Sequence, residues 1–144
     1  MPNSIYSKQM MLYLHRLYEK NVEEKVETTS GALALEAGVR TPSAIDIIRK
    51  LEENGFVNRT PWGPIFLTDK GFEEASKLIY KHRIIETYFS KFLNLKEKEA
   101  CEEATSLESQ IGERVVYAMC DRLGHPCKCI HGKNIPHMHQ GETI

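Results

Sequence analysis

No apolar run in this sequence approaches the roughly 20 residues that a membrane-spanning helix needs. The N-terminal stretch "MPNSIYSKQMM" also lacks the charged, apolar and small-residue regions of a secretory signal. Both absences lead us to expect a cytoplasmic protein. Charge of one sign is not in excess either: 19 Lys and Arg face 20 Asp and Glu, for a net charge of −1. No global field marks a nucleic-acid or membrane partner, so local patterning must carry any such reading. The chain has no internal repeat, low-complexity linker, phosphate-binding glycine loop, Ser/His/Asp order or clear acid–base carboxylate pair. An enzyme is therefore not expected, and Glu97, Glu99, Glu102 and Glu103 read as a solvated helix face. Cysteine is scarce, at 4 residues in 144. In a reducing compartment such cysteines are thiols, metal ligands or redox groups more often than disulfides.

What is present reads as a series of helices interrupted by one hairpin. Residues 5–21 carry Met10, Met11, Leu14, Leu17 and Tyr18 as one apolar stripe at helical spacing, with Leu12 on the opposite side. Residues 28–39 form a short helix that Thr29 or Ser30 can cap and Gly38 can end. The next helix opens at Thr41, an N-cap candidate followed by Pro42 at the first helical position. Its inner face is Ala44, Ile47, Ile48 and Leu51, and Gly55 stops it. "FVNRT" and "PIFLT", joined around "PWG", read as a hairpin. Thr68 then caps a long helix over about 69–93, whose apolar positions include Phe72, Ala75, Leu78, Ile79, Ile85, Tyr88, Phe89 and Phe92. Two further helical stretches follow, about 96–109 and 110–123, and the tail from Gly124 reads as irregular.

Helix, short helix, tight turn, helix and hairpin is the order of a winged helix-turn-helix. The fold class is then mainly α, with an N-terminal winged unit carrying a small β-hairpin wing and a helical domain after it. The outer face of residues 41–50 offers a groove reader small polar groups at the helix start, Thr41, Pro42 and Ser43, then Arg49 and Lys50 for phosphate. Arg59 sits on the wing. Asp46 shares the outer face; it repels phosphate but can accept from a cytosine amino group. Winged helices also serve as protein-interaction modules, a reading that failure to bind DNA at low salt would favour.

Four stretches carry a resemblance: "MLYLHRLYE" (11–19), "TPSAIDIIRKLEENGFV" (41–57), "LTDKG" (67–71) and "KHRIIETYF" (81–89). In combination they resemble the diphtheria toxin repressor and manganese transport regulator family over roughly residues 5–136. The resemblance implies a homodimeric, metal-activated repressor that binds a pseudo-palindromic operator in double-stranded DNA. It also implies a winged-helix domain over 1–72 and a helical dimerisation and metal-sensing domain over 73–144, the short two-domain form. The long helix would connect sensor and reader.

The family's metal ligands carry over only in part. His82 and Glu86 match its ancillary site and lie four apart on one helix face. Cys101 stands where that site usually has a histidine, which favours Zn2+ or Fe2+ over Mn2+. Of the primary-site positions, Glu108 keeps a strong ligand, whereas Leu12, Thr105 and Ser109 do not. Leu12 is expected instead to pack against the helical domain. A His–Glu pair at this spacing is also an ordinary helix-surface contact.

The tail "LGHPCKCIHGKNIPHMHQ" (123–140) adds six soft or borderline ligands. "CIHGKNIP" resembles a "CPHGxPIP"-like ending of short family members; Cys127 is additional to it. Three readings stay open. Cys127, Cys129 and His131 could hold one ion with a fourth ligand from Cys101, Cys120, His125 or the dimer partner. Cys101, Cys120, Cys127 and Cys129 could hold an iron–sulfur cluster, making the protein a redox sensor on the same fold. Or the cysteines are packing and thiol groups with no metal. His137 and His139 read as a histidine-rich end without a specific site.

Overall fold

The computed structural model describes residues 7–60 and 63–137. Residues 5 and 6 of the first expected helix, Pro61 and Trp62 of the expected turn, and His139 lie outside them. The chain forms two compact units, Met1–Ala75 and Ser76–Ile144. No helix among the described residues is long and apolar enough to cross a membrane.

In the first unit, α1 (Lys8–Leu17) is capped by Ser7, whose hydroxyl accepts from the Met10 N–H at 3.1 Å. The helix continues with a wider π winding through Glu23. The expected stripe is buried, and Tyr13 joins it at 1 % exposure. Leu12, off the stripe, is half-buried. Helix α2 (Ser30–Ala37) is capped by Thr29 and ends at Gly38, whose φ of 68° is the left-handed conformation glycine accepts without strain.

Helix α3 (Thr41–Glu53) begins one residue earlier than expected, at Thr41 rather than Pro42. Arg40 holds the N-cap position and no side chain caps the helix, which leaves the Thr41 hydroxyl on an exposed first turn. Ala44, Ile48 and Leu51 are fully buried, while Ile47 is half-exposed. Burying a side chain of the size of Ile48 or Leu51 stabilises by about 1.5–3 kcal/mol.

Strands β1 (Val57–Arg59) and β2 (Ile65–Leu67) pair antiparallel, Val57 opposite Leu67 and Arg59 opposite Ile65. The Ile65 N–H donates to the Thr28 carbonyl at 2.9 Å, an isolated antiparallel bridge beside the two-stranded sheet. Helix α4 (Asp69–Leu93) starts as expected on Thr68, whose hydroxyl accepts from the Gly71 N–H at 3.0 Å and donates to the Gly55 carbonyl at 2.6 Å. Phe72 stays partly exposed and stacks on Tyr18 with ring centroids 5.9 Å apart.

The second unit packs α4 from Ser76 onward with α5 (Glu97–Leu107), α6 (Glu113–Leu123) and the tail. Its core is Tyr80, Ile84, Ile85, Ala104, Val116, Cys120, Cys129 and Ile135. Ala100 and Ala104 are fully buried on α5, and such small residues let helix backbones come close. Asn94, at φ 59°, ends α4, and Gly124, at φ 78°, ends α6. The described part of the tail, residues 124–137, contains no helix, but it is not loose. Its residues 127–135 fold into a tight loop held by Cys129 N–H to Lys133 carbonyl, Gly132 N–H to Cys129 carbonyl and Ile135 N–H to Cys127 carbonyl, each 2.9 Å. The buried Arg83 on α4 donates to the Asn134 carbonyl at 2.5 Å and fixes that loop in place.

Candidate metal centre and DNA-reading face

Glu86 is the hub of the second unit. One turn before it on α4, His82 directs Nε2 at the Glu86 Oε2 atom, 3.3 Å away, and at the Cys101 Sγ of α5, 3.6 Å away. His82 and Glu86 are 5 % and 2 % exposed, so these groups face one another out of water. The other Glu86 oxygen, Oε1, lies 3.4 Å from His131 Nδ1. The tail loop brings Cys129 and His131 together against Glu86, with the ligand atoms of all three within 4.8 Å of one another. The same limit encloses the ligand atoms of His82, Glu86 and Cys101. Two triads thus share one carboxylate.

Behind His82 sits Glu108. Its Oε1 accepts from His82 Nδ1 at 2.6 Å. A carboxylate on Nδ1 fixes the tautomer and ring orientation, leaving Nε2 for Glu86 and Cys101. Glu108 was expected among the ligands themselves; here its carboxylate bonds His82 Nδ1 and joins none of the convergent ligand groups found among the described residues. Burial disfavours a charge on His82, but the hydrogen bonds and charges of Glu108 and Glu86 outweigh it and hold the imidazolium up to about 10. Burial acts likewise to raise Glu86, yet the hydrogen bond and charge of His82 hold its carboxyl below the usual range. Burial pushes the Cys129 thiol up, against the opposing N–H groups of His131 and Lys133.

The residues fit a divalent cation on two counts. The Oε2 atom of Glu86 is fully buried against His82 Nε2, 3.3 Å away, where a cation could take the place of the imidazolium proton. In addition, Glu86 and Glu108 bring two carboxylates to a single buried imidazole, so protonated His82 leaves one negative charge uncompensated among the three.

Other expected ligands lie elsewhere. Cys127 is exposed and joins no group of convergent ligands among the described residues, whereas Cys129 is buried in the core. The Cys127–Cys129–His131 cluster therefore does not form, and Glu86 takes the third place. Four cysteines do not gather either. Cys101, Cys120 and Cys129 fall in three separate groups, so the arrangement does not support an iron–sulfur cluster. Thr105 turns its hydroxyl back to the Cys101 carbonyl at 3.0 Å. Sequence spacing finds His82 with Glu86, but nothing local connects Glu86 to residues 45 positions away.

In the first unit, Thr41, Pro42, Ser43, Asp46, Arg49 and Lys50 are all exposed on α3. Asp46 lies 3.7 Å from both Arg49 and Lys50, so it holds the two cations together as it offsets them. Arg59 is half-buried and bonded to Glu52 at 3.3 Å, which tethers it to α3 rather than extending it from the wing.

Comparison with known proteins agrees with this plan. Residues 68–137 match the family model described as the iron dependent repressor, metal binding and dimerisation domain. An HTH-type transcriptional regulator of Methanocaldococcus jannaschii is 36% identical over 106 residues, covering 72% of this chain and 83% of that protein. The transcriptional regulator MntR of Salmonella typhimurium is 27% identical over 86 residues, 60% of this chain and 54% of its own. Among solved structures, a manganese-dependent transcriptional repressor in complex with manganese superposes with a TM-score of 0.80 at 30% identity, over 90% of this chain and 59% of that one. The manganese regulator SloR gives 0.79 at 30% identity, over 89% and 59%. The chain thus spans little more than half the length of several proteins it matches. It belongs to the iron-dependent repressor family of metal-dependent transcriptional regulators, a family of DNA-binding proteins rather than enzymes.

Proposed function

We propose that this protein is a homodimeric DNA-binding repressor whose operator affinity is set by a divalent transition metal held around Glu86. The candidate ligands are His82, Glu86, Cys101, Cys129 and His131, with Glu108 orienting His82. The two groups of convergent ligand atoms that share the buried Glu86 carboxylate, one with His82 and Cys101 and one with Cys129 and His131, carry the proposal. A bound cation would supply positive charge at a point where α4, α5 and the tail loop meet. Thiol and imidazole donors favour Zn2+ or Fe2+ over Mn2+, and the loss of strong ligands at Leu12, Thr105 and Ser109 supports the same choice.

DNA would be read by the α3 face, with two copies presenting two such helices over a pseudo-palindromic site. Phe92, Leu93 and Val115 leave apolar surface exposed on the second unit, as a dimerising unit would. Metal would act by favouring the arrangement of the dimer that matches the operator. Operator affinity measured with Zn2+, Fe2+ and Mn2+, and without metal, tests the reading; indifference to all three ions refutes the sensing half.

A further inference from the structure

We infer that Cys120, His125 and His137 form a second, separate site for a zinc-class divalent ion. The Cys120 Sγ lies on α6, 3.4 Å from His125 Nδ1 and 3.7 Å from His137 Nδ1. All three ligand atoms fall within 4.8 Å of one another. None belongs to the Glu86 triads.

The far side of each ring supplies an independent observation. His125 Nε2 lies 3.2 Å from the Asp121 Oδ1, and His137 Nε2 lies 2.5 Å from the Pro126 carbonyl oxygen. A carboxylate and a carbonyl only accept, so each Nε2 carries the proton. With Nε2 as the donor, Nδ1 is the nitrogen that each ring turns to the same sulfur as the candidate ligand atom. Ligating histidines are held in this way, with one nitrogen donating to a carboxylate or a backbone carbonyl and the other on the metal. One thiolate and two imidazoles suit Zn2+, leaving the fourth tetrahedral position for solvent or an added ligand.

The surroundings fix the rings. His137 packs edge-on against Tyr80, centroids 5.6 Å apart, and against His125 at 6.4 Å. The cluster joins the end of α6, its left-handed cap and the far end of the tail. Its ligands therefore bracket residues 127–135, the loop that carries Cys129 and His131. An ion here would close that loop as a clasp. Cys120 and His137 are 17 residues apart, a separation that matches no local ligand motif and is closed only by the folded tail.

The test is cobalt titration of the full chain carrying Cys101→Ser, Cys127→Ser and Cys129→Ser, which leaves Cys120 as the only thiol. We expect one equivalent of Co2+ to give a thiolate-to-cobalt charge-transfer band. Adding His125→Ala or His137→Ala, both at partly exposed positions, should abolish it. In parallel, Cys120→Ser in the otherwise unchanged chain should lower zinc content by one ion per subunit while Glu86→Gln leaves that ion bound. No band in the triple variant, or a band that survives both histidine replacements, overturns the site. Unchanged zinc content in Cys120→Ser overturns it even should the triple variant not fold. Neither result bears on the Glu86 centre, whose own loss is read from Glu86→Gln.

Discussion

His82 shows how much of the candidate centre rests on single atoms. Its Nδ1 is committed to Glu108, so everything it offers a metal passes through Nε2. That nitrogen is protonated at neutral pH, because the pKa is held up to about 10 against an ordinary 6.5. A raised pKa stabilises the fold fully below the unfolded value and ceases to do so as pH climbs through the folded one. Metal-free protein should therefore lose stability between about pH 6.5 and 10, seen as a falling midpoint in urea or thermal unfolding. His82 must also release its Nε2 proton before it can ligate, so metal affinity should rise over the same interval and binding should release protons. His82→Gln should flatten the stability profile of the metal-free protein. The i, i+4 spacing made the His82–Glu86 pair legible in the sequence. Glu108 behind the ring was not, since ligand and orienting carboxylate look alike until the imidazole's direction is known.

At the scale of elements, short-range chemistry was the most readable part. Thr29, Gly38 and Thr68 act where their turn and cap preferences place them, because each bonds within three residues of itself. Arg40 rather than Thr41 opens α3, since no side chain there bonds the first turn and Pro42 tolerates either start. The tail was least readable. Its loop is closed by contacts across three to eight residues and by Arg83 from α4, 51 positions away, which no local pattern announces. The start of α4 gives the sharpest prediction. A Cβ on Gly71 would lie 1.9 Å from the Phe56 carbonyl oxygen, a backbone atom with little room to yield. Gly71→Ala should destabilise the first unit by about 1–3 kcal/mol, as overpacked sites do. Thermal unfolding measures it, and an unchanged midpoint would show that α4 enters differently.

At the scale of the whole molecule, a net charge of −1 means that DNA affinity depends on local cations alone. Arg49 and Lys50 on α3 are the strongest candidates, and Asp46 partly offsets both. Arg49→Ala or Lys50→Ala should each reduce the slope of log K against log salt by about one. Asp46→Asn should strengthen binding to any sequence, since it releases both cations to phosphate. Gel shifts at several salt concentrations decide this; no change in slope with either alanine would remove α3 from the interface.

The central claim is that a metal at Glu86 sets operator affinity. The direct measurement is fluorescence anisotropy of labelled operator DNA with the full chain, metal-free and with stoichiometric Zn2+ or Fe2+, for the unaltered protein and for Glu86→Gln. The account predicts roughly a 5- to 150-fold gain in affinity on metal addition, the usual span of coupling between two sites. It predicts that the gain disappears in Glu86→Gln while metal-free affinity stays the same. An equal metal response in the two proteins, or none in either, would contradict it.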